Sequence, residues 1–257
     1  MREKKVAIVT GASSGIGAAI AVDLAQAGCH VLVNYSRNCD GGEAVAKSCC
    51  LAGVEAIAVQ GDIASDVNCR AMAKAALEAW GRIDVLVNNA GVTRFADARD
   101  LDALQRDDFE HIFAVNVAGC YQMTRAAASP LAETGGSVVN ISSHSGFSGI
   151  GSSIAYAASK GALNTMTLSL ARSLAPRVRV NAVCPGFVDT DWMAPQLSSD
   201  ELAAFKRKTA ALAPLQRIVT PEEVAEATRW FALGGPSTTG QLLVIDGGTH
   251  LTVGAPF

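Results

Sequence analysis

Seven short apolar runs punctuate this 257-residue chain: Val6–Thr10, Val31–Tyr35, Ala56–Gln60, Ile83–Asn88, Ser137–Ser142, Val178–Cys184 and Leu242–Asp246. Several are apolar at every position rather than at alternate ones. Strands read that way when helices cover both faces of their sheet, as in parallel sheets. Between the runs lie longer alanine-rich stretches of helical character: Ile16–Ala27, Gly42–Ala52, Asp66–Trp80, a long one around Arg106–Ser129, and Ser153–Leu174. This alternation predicts parallel βαβ units wound with right-handed crossovers into a doubly wound α/β sheet of about seven strands. Two further helices, Ser198–Ala211 and Pro221–Leu233, fall between the sixth and seventh runs. The second has a clear start, with Thr220 as N-cap, Pro221 at the first helical position and Glu223 closing a capping box. No linker, low-complexity stretch or internal repeat interrupts the pattern, so residues 1–257 read as a single domain.

Composition narrows the function classes. The chain is 49% hydrophobic and 18% charged, against roughly 25% charged residues in an average soluble domain. That excludes disorder, and the length excludes a small disulfide scaffold. With 21 basic and 24 acidic residues the net charge is −3, so no basic footprint marks a nucleic-acid partner. No run of about 18 apolar residues predicts a membrane span. The seven cysteines, at 29, 39, 49, 50, 69, 120 and 184, form no Cys-x-x-Cys motif and no Cys/His cluster. No metal site is expected, and the thiols read as reduced and mostly buried, in a cytoplasmic protein. The charged start, Met1-Arg2-Glu3-Lys4-Lys5, runs into the first strand with no signal-peptide core.

The first strand is followed by Thr10-Gly11-Ala12-Ser13-Ser14-Gly15-Ile16-Gly17 and then a helix. Glycines allow a sharp turn and close approach to a pyrophosphate, and a helix N-terminus offers free N–H groups and a positive dipole end. The spacing is Gly-x-x-x-Gly-x-Gly, and by itself it is equally a tight turn. Its position between first strand and first helix makes it a candidate anion cradle.

Three further motifs follow in order. Asn88-Asn89-Ala90-Gly91 ends the fourth apolar run, Tyr156-Ala157-Ala158-Ser159-Lys160 lies in the helix after the fifth, and Pro185-Gly186 follows the sixth. Together with Thr10–Gly17, and across essentially the whole chain, this set resembles the short-chain dehydrogenases/reductases. The resemblance implies a Rossmann-type NAD(P)-binding fold and hydride transfer between a nicotinamide cofactor and a ketone or secondary alcohol.

Such chemistry needs a proton donor at the developing alkoxide. A phenol serves if a nearby cation stabilises its phenolate. Residues four apart share a helix face, and among Tyr35, Tyr121 and Tyr156 only Tyr156 is followed four residues later by a lysine, Lys160. The plain alternative is an amphipathic helix with an ordinary exposed lysine. The resemblance adds a serine after the fifth strand to bond the substrate oxygen. Ser143 matches that position and is preferred over its neighbour Ser142. It also implies that Asn116, within Ala114–Gly119, holds a water linking Lys160 to solvent; a structural role for a mid-helix asparagine is the alternative.

The cofactor side is carried over in the same way. Gly11, Ser13, Ser14, Ile16 and Gly17 would hold the pyrophosphate. At the end of the second strand, Tyr35 stands where an acid would select NAD(H), and Ser36 and Arg37 can bond a phosphate; NADP(H) is therefore expected, with NAD(H) the alternative. Asp62 and Ile63 match the adenine-contacting position, and Asn89, Ala90 and Gly91 match the ribose-packing one. Pro185, Gly186, Val188 and Thr190 would close over the nicotinamide, with Tyr156 and Lys160 reaching its ribose.

Ligands of open α/β sheets bind at the carboxyl ends of the strands. That places a small-molecule substrate among Val92–Ala98, His144–Ser153 and Phe187–Leu212. Phe147, Ile150, Phe187, Trp192 and Met193 suggest a partly apolar pocket, though aromatics of this kind also serve plain packing. Asp191–Lys208 reads as a lid, within a lid region at about 188–212. Val33-Asn34-Tyr35, Asn89–Arg94, Val183–Phe187 and Ile245–Gly248 are most similar to 3-oxoacyl-carrier-protein reductases. Phe95–Asp108 is longer than in those, and Ser129–Gly136 lacks basic residues, which leaves Arg172 as a docking candidate for an acidic carrier. A sugar or small-alcohol dehydrogenase, and a non-catalytic cofactor-binding regulator, are the alternatives. The resemblance also implies a homotetramer.

Overall fold

The computed structural model describes residues 4–193 and 196–252. Its centre is a seven-stranded sheet: β1 (Val6–Val9), β2 (His30–Tyr35), β3 (Ala56–Gln60), β4 (Val85–Asn88), β5 (Ser137–Ile141), β6 (Arg179–Pro185) and β7 (Leu242–Ile245). The spatial order is β3-β2-β1-β4-β5-β6-β7, and every pairing is parallel. The chain moves outward from β1 to β3, then returns to β4 on the other side of β1. That reversal between β1 and β4 opens a crevice at the carboxyl ends of the two strands, where ligands of this fold class bind.

Side chains alternate across each strand and feed two cores. Val9, Val33, Val87 and Val139 point to one side. There they meet α1 (Gly15–Gln26), α2 (Cys39–Leu51) and α9 (Pro221–Leu233). Ile8, Leu32, Leu86 and Val138 point to the other, against α3 (Asp66–Trp80), α5 (Cys120–Thr134) and α7 (Ile154–Leu174). Burial of both strand faces explains the continuous apolar runs. The remaining helices are α4 (Arg106–Phe113), the single turn α6 (Ser145–Ser148) and α8 (Ser199–Leu212). No helix among the described residues is long and apolar enough to cross a membrane.

Three local departures from the sequence pattern have physical causes. The stretch expected as one helix over Arg106–Ser129 is divided: α4 passes through a wider π turn, Ala114–Gly119, into α5. Helix α5 then continues through Pro130 to Thr134 and stops at Gly135, whose φ of 65° is left-handed. A proline inside a helix loses one backbone bond, but here the next residue, Leu131, is completely buried and anchors the last turn. Helix α2 starts at Cys39 rather than Gly42 because Asn38 caps it, accepting the Gly41 N–H at 3.0 Å.

All seven cysteines are unpaired. Burial pushes the Cys29, Cys69 and Cys120 thiols up to about 11 and those of Cys49 and Cys184 up to about 12, which keeps them protonated and inert at neutral pH.

Candidate active site

Two asparagines and a threonine hold the glycine-rich turn in shape. Thr10 Oγ1 donates to the Val87 carbonyl at 3.3 Å and accepts the N–H groups of Asn89 and Ala90 at 3.0 and 3.1 Å. The Asn89 side-chain amide donates to the carbonyls of Thr10 and Gly11, both at 2.9 Å. From the other side Asn34 Oδ1 accepts the Gly11 N–H at 3.1 Å, while its amide donates to the carbonyls of Val59 and Gly61. The crowding requires glycine at position 17: a Cβ there would lie 2.4 Å from Asn89 Nδ2 and 2.5 Å from the Gly11 carbonyl oxygen.

Ser14 caps α1 in an extended conformation without a side-chain bond to the helix. The amides of Gly15, Ile16 and Gly17 find no acceptor among the described residues. Three N–H groups at one helix start, in a turn with no room for a side chain at Gly11 or Gly17, fit the pyrophosphate of a dinucleotide.

Around the end of β2, Ser36 and Arg37 are exposed and Tyr35 is half-buried. The Tyr35 hydroxyl lies 3.2 Å from Cys39 Sγ. Arg37 pairs with no carboxylate among the described residues, so its guanidinium is open to an anionic ligand. Asp62 is exposed and turns back to accept the Ala64 N–H at 2.9 Å. The Ile63 side chain is buried against Gly119, where a Cβ would come within 2.8 Å of it, so toward a ligand in the crevice Ile63 offers only its main chain.

The residues expected to react follow β5 or lie on α7. Ser153 starts α7, its Oγ accepting the N–H of Tyr156 at 3.2 Å. Tyr156 is half-buried, and its hydroxyl bonds to no described residue. One turn on, Lys160 is 4% exposed. Its ammonium donates to the Ile141 carbonyl at 2.8 Å and lies 5.6 Å from the centre of the Tyr156 ring.

The two neighbouring serines differ in what they touch. Ser142 Oγ faces α7, donating to Asn164 Oδ1 at 2.6 Å and to the Lys160 carbonyl at 3.3 Å. Ser143 Oγ faces the loop instead. It accepts the Ser145 N–H at 3.1 Å and lies 3.4 Å from the Pro185 carbonyl oxygen.

Asn116 lies in the π turn and is fully buried. Its Oδ1 accepts the Val92 N–H at 2.8 Å, and its amide donates to the Val92 carbonyl and to Ser159 Oγ, both at 3.0 Å. Asn116 therefore clamps the loop after β4 onto α7. A Cβ on Gly91 would sit 3.4 Å from Asn116 Oδ1 and 3.7 Å from Lys160 Nζ, so the asparagine and the lysine meet at that glycine.

The loop after β6 completes the crevice. A Cβ on Gly186 would collide with Asp246 at 2.6 Å. Val188 is buried and forms a bridge with Val219. Thr190 reaches the glycine-rich turn: its Cγ2 lies 3.5 Å from the Cβ position of Gly15. Phe187 meets Phe205 of α8 edge-on at 5.0 Å, and Asp189 pairs with Lys206 of the same helix. These contacts fasten α8 to the strand-end loop. Residues 194–195 of the expected lid lie outside the described residues.

Sequence reasoning missed Asn34, Ser153 and Asp246. Asn34 carried a signal, since a polar side chain inside a strand covered on both faces must find partners. Asp246 is buried between two histidines. Its carboxylate accepts His250 Nδ1 at 2.9 Å and the N–H groups of His250 and Gly248, and lies 3.7 Å from His144 Nδ1. Burial alone raises the Asp246 pKa, but the bonds from His250 and Gly248 outweigh it and hold the carboxyl below its usual range. Burial also lowers the His144 pKa, against the opposing pull of Asp246. Arg172 lies in the last turn of α7, about 24 Å along the helix from Tyr156, so it belongs to no part of this crevice.

Comparison with known proteins adds four findings. A family model described as enoyl-(acyl carrier protein) reductase matches residues 11–250. A Streptomyces violaceoruber protein described as ketoacyl reductase 2 of granaticin polyketide synthase is 42% identical over 250 residues, 97% of this chain and 97% of that protein. A Synechocystis 3-oxoacyl-acyl-carrier-protein reductase is 38% identical over 248 residues, 95% of this chain and 96% of that protein. Among solved structures, a Burkholderia xenovorans protein described as a short-chain dehydrogenase/reductase superposes with a TM-score of 0.91 at 40% identity, covering 98% of this chain and 100% of that one.

Proposed function

This chain belongs to the short-chain dehydrogenase/reductase family of oxidoreductases, and from that premise we propose that it reduces the 3-oxo group of an acyl thioester with NADP(H). One observation carries the proposal. The free amides at the start of α1 and the Tyr156–Lys160 pair of α7 converge at the carboxyl ends of one sheet. The thioester class is supported by the two reductases reported above, at 42% and 38% identity.

When bound, the nicotinamide dinucleotide supplies or accepts the hydride. The chain's own residues do the rest. The amides of Gly15, Ile16 and Gly17 hold the pyrophosphate, within the turn formed by Gly11, Ser13 and Ser14. Arg37 and Ser36 bond the 2′-phosphate. The absence of an acid at Tyr35 removes the repulsion that would reject that group. Asp62, Ile63, Asn89, Ala90 and Gly91 line the adenosine side, and Pro185, Gly186, Val188 and Thr190 the nicotinamide side.

At the carbonyl, Ser143 Oγ and the Tyr156 hydroxyl both donate to the oxygen that becomes negative, which favours the transition state over the ground state. Tyr156 then hands its proton to that oxygen. Lys160, fixed by Ile141, keeps a positive charge beside the phenolate left behind. Asn116 has its side chain committed to Val92 and Ser159; its part is to hold Gly91 and the proton path next to Lys160 in place. The exposed apolar side chains of Phe147, Ile150 and Trp192 favour an acyl substrate over a sugar.

The same proposal takes residues 1–257 as one domain in the cytoplasm, with 188–212 closing over the substrate. Exposed Leu168, Trp230 and Leu243 on α7, α9 and β7 supply apolar surface for a homotetramer.

The test is NADPH oxidation with a 3-oxoacyl thioester, in the native chain and in Tyr156→Phe. Loss of turnover by about 10²–10⁴-fold in the variant is expected for removal of a general acid; unchanged turnover overturns the assignment. Titration with NADPH and NADH checks the cofactor. Arg37→Ala should weaken NADPH alone, and tighter NADH binding by the native chain would refute the NADP(H) preference.

A further inference from the structure

We propose that Trp192 determines substrate specificity, selecting compounds whose reacting carbonyl carries a flat, unsaturated or aromatic group. The proposal rests on reduction at Tyr156 and adds the shape of the group beside the reacting carbonyl.

Trp192 sits on the single 3₁₀ turn Asp191–Met193. Its backbone N–H donates to Thr190 Oγ1 at 3.3 Å, and Thr190 in turn lies against the glycine-rich turn at Gly15. A segment of three residues thus spans from the pyrophosphate cradle to the reacting tyrosine. At its end the indole stands 6.5 Å from the Tyr156 ring, centre to centre, tilted by 51°. The rings form an open V rather than a stack, and Trp192 keeps 45% of its surface exposed.

The stretch leading into α7 adds apolar side chains. Ile150 and Phe147 are also exposed, and the Cβ position of Gly151, beside Ile150, is 3.5 Å from Tyr156 Cδ1. Of the charged groups on these loops, Asp189 pairs with Lys206, Asp246 with His250 and Lys160 donates to the Ile141 carbonyl, while Asp191 is exposed beside Trp192 on the same turn. A substrate whose oxygen reaches the Tyr156 hydroxyl therefore lays its carbon skeleton against an indole and aliphatic groups. Any apolar group of the right size gains by covering that surface. Only a flat π system gains the further offset or edge-on contact that aromatic rings make at centre distances of 4.5–7 Å.

Two probes test that difference: ethyl 3-oxo-3-phenylpropanoate and ethyl 3-cyclohexyl-3-oxopropanoate, which carry a flat and a puckered six-membered ring on the same ester; the lower reactivity of the conjugated phenyl ketone is common to every variant and cancels when their ratios are compared. The expected result is that the phenyl-to-cyclohexyl ratio of kcat/KM falls about three- to tenfold in Trp192→Ala and is largely kept in Trp192→Phe, as the size of an aromatic pair contact predicts. If Trp192→Ala slows both probes equally, leaving the ratio unchanged, the residue serves only to shape the loop and the proposal is wrong. Fluorescence provides a readout independent of turnover. In the presence of NADP⁺ the phenyl probe should quench the native chain and not Trp192→Phe, which retains Trp80 and Trp230; equal quenching of both overturns the proposal. Quenching confined to Trp192 without turnover of either probe would instead overturn 3-oxo reduction and leave Trp192 as the recognition residue.

Discussion

The ammonium of Lys160 is held 2.8 Å from the carbonyl oxygen of Ile141, the last residue of β5. This bond ties the strand that leads into Ser143 to the helix that carries Tyr156. A buried cation needs compensation, and the strand-end carbonyl supplies it. Lys160→Met keeps the apolar stem and removes both the charge and the bond. Turnover of the best substrate should fall by about 10²–10³-fold, with the fold retained by circular dichroism. Activity within tenfold of the native chain would show that the charge is not needed.

Gly17 has no room for a side chain, because Asn89 Nδ2 and the Gly11 carbonyl already occupy the Cβ position. Gly17→Ala should push the Asn89 amide off the carbonyls of Thr10 and Gly11 and open the turn. NADPH affinity, measured by fluorescence titration, should drop at least about tenfold, the loss of one charge-assisted contact or more. Native-like affinity would mean that the turn does not hold the pyrophosphate.

Asn116 makes three side-chain bonds, two to Val92 and one to Ser159. Asn116→Ala leaves these groups without partners at a fully buried site. A loss of about 2 kcal/mol is expected, seen in thermal melts as a Tm drop of about 4–8 °C for a chain of this size. A melt identical to that of the native chain would contradict the clamp.

His144 carries the pH dependence of the site's edge. Its pKa is lowered from 6.5 by burial, with Asp246 opposing and His250 adding to the shift. A histidine depressed in the fold binds its proton more readily when unfolded, so its contribution to stability is complete above pH 6.5 and declines as the pH falls below it. His144→Gln should flatten the fall in Tm between pH 6.5 and pH 5. The Asp246 carboxyl, held below its ordinary 3.8, loses its contribution only at still lower pH, so the two effects occupy separate windows. An unchanged slope in the variant would rule out His144 as its source.

Much of this was legible in the residues. The seven apolar runs became the seven strands within one or two residues, because turn residues and helix starts bound each run. Tyr156 and Lys160 could be placed on one face from a spacing of four alone. The break in the long helix could not be read. A π turn differs from an α turn by one residue of hydrogen-bond register, and Ala114-Val115-Asn116-Val117-Ala118-Gly119 is compatible with either. The helical stretch expected to close near Ser129 runs on through Pro130 to Thr134, with buried Leu131 anchoring its last turn. Ser142 and Ser143 were chemically identical neighbours until their partners separated them.

By itself the sequence determined the order of strands and helices and the residue types delivered to each strand end, since periodicity and turn chemistry are local. The tertiary structure alone decided which of those residues share a crevice. The crevice exists because the strand order reverses between β1 and β4, which sets Thr10 beside Asn89. It also depends on contacts across long stretches of chain: Lys160 with Ile141, Asn116 with Val92, Trp192 with Tyr156. Such meetings follow from how helices pack on both faces of a twisted sheet, and no window of neighbouring residues contains that information.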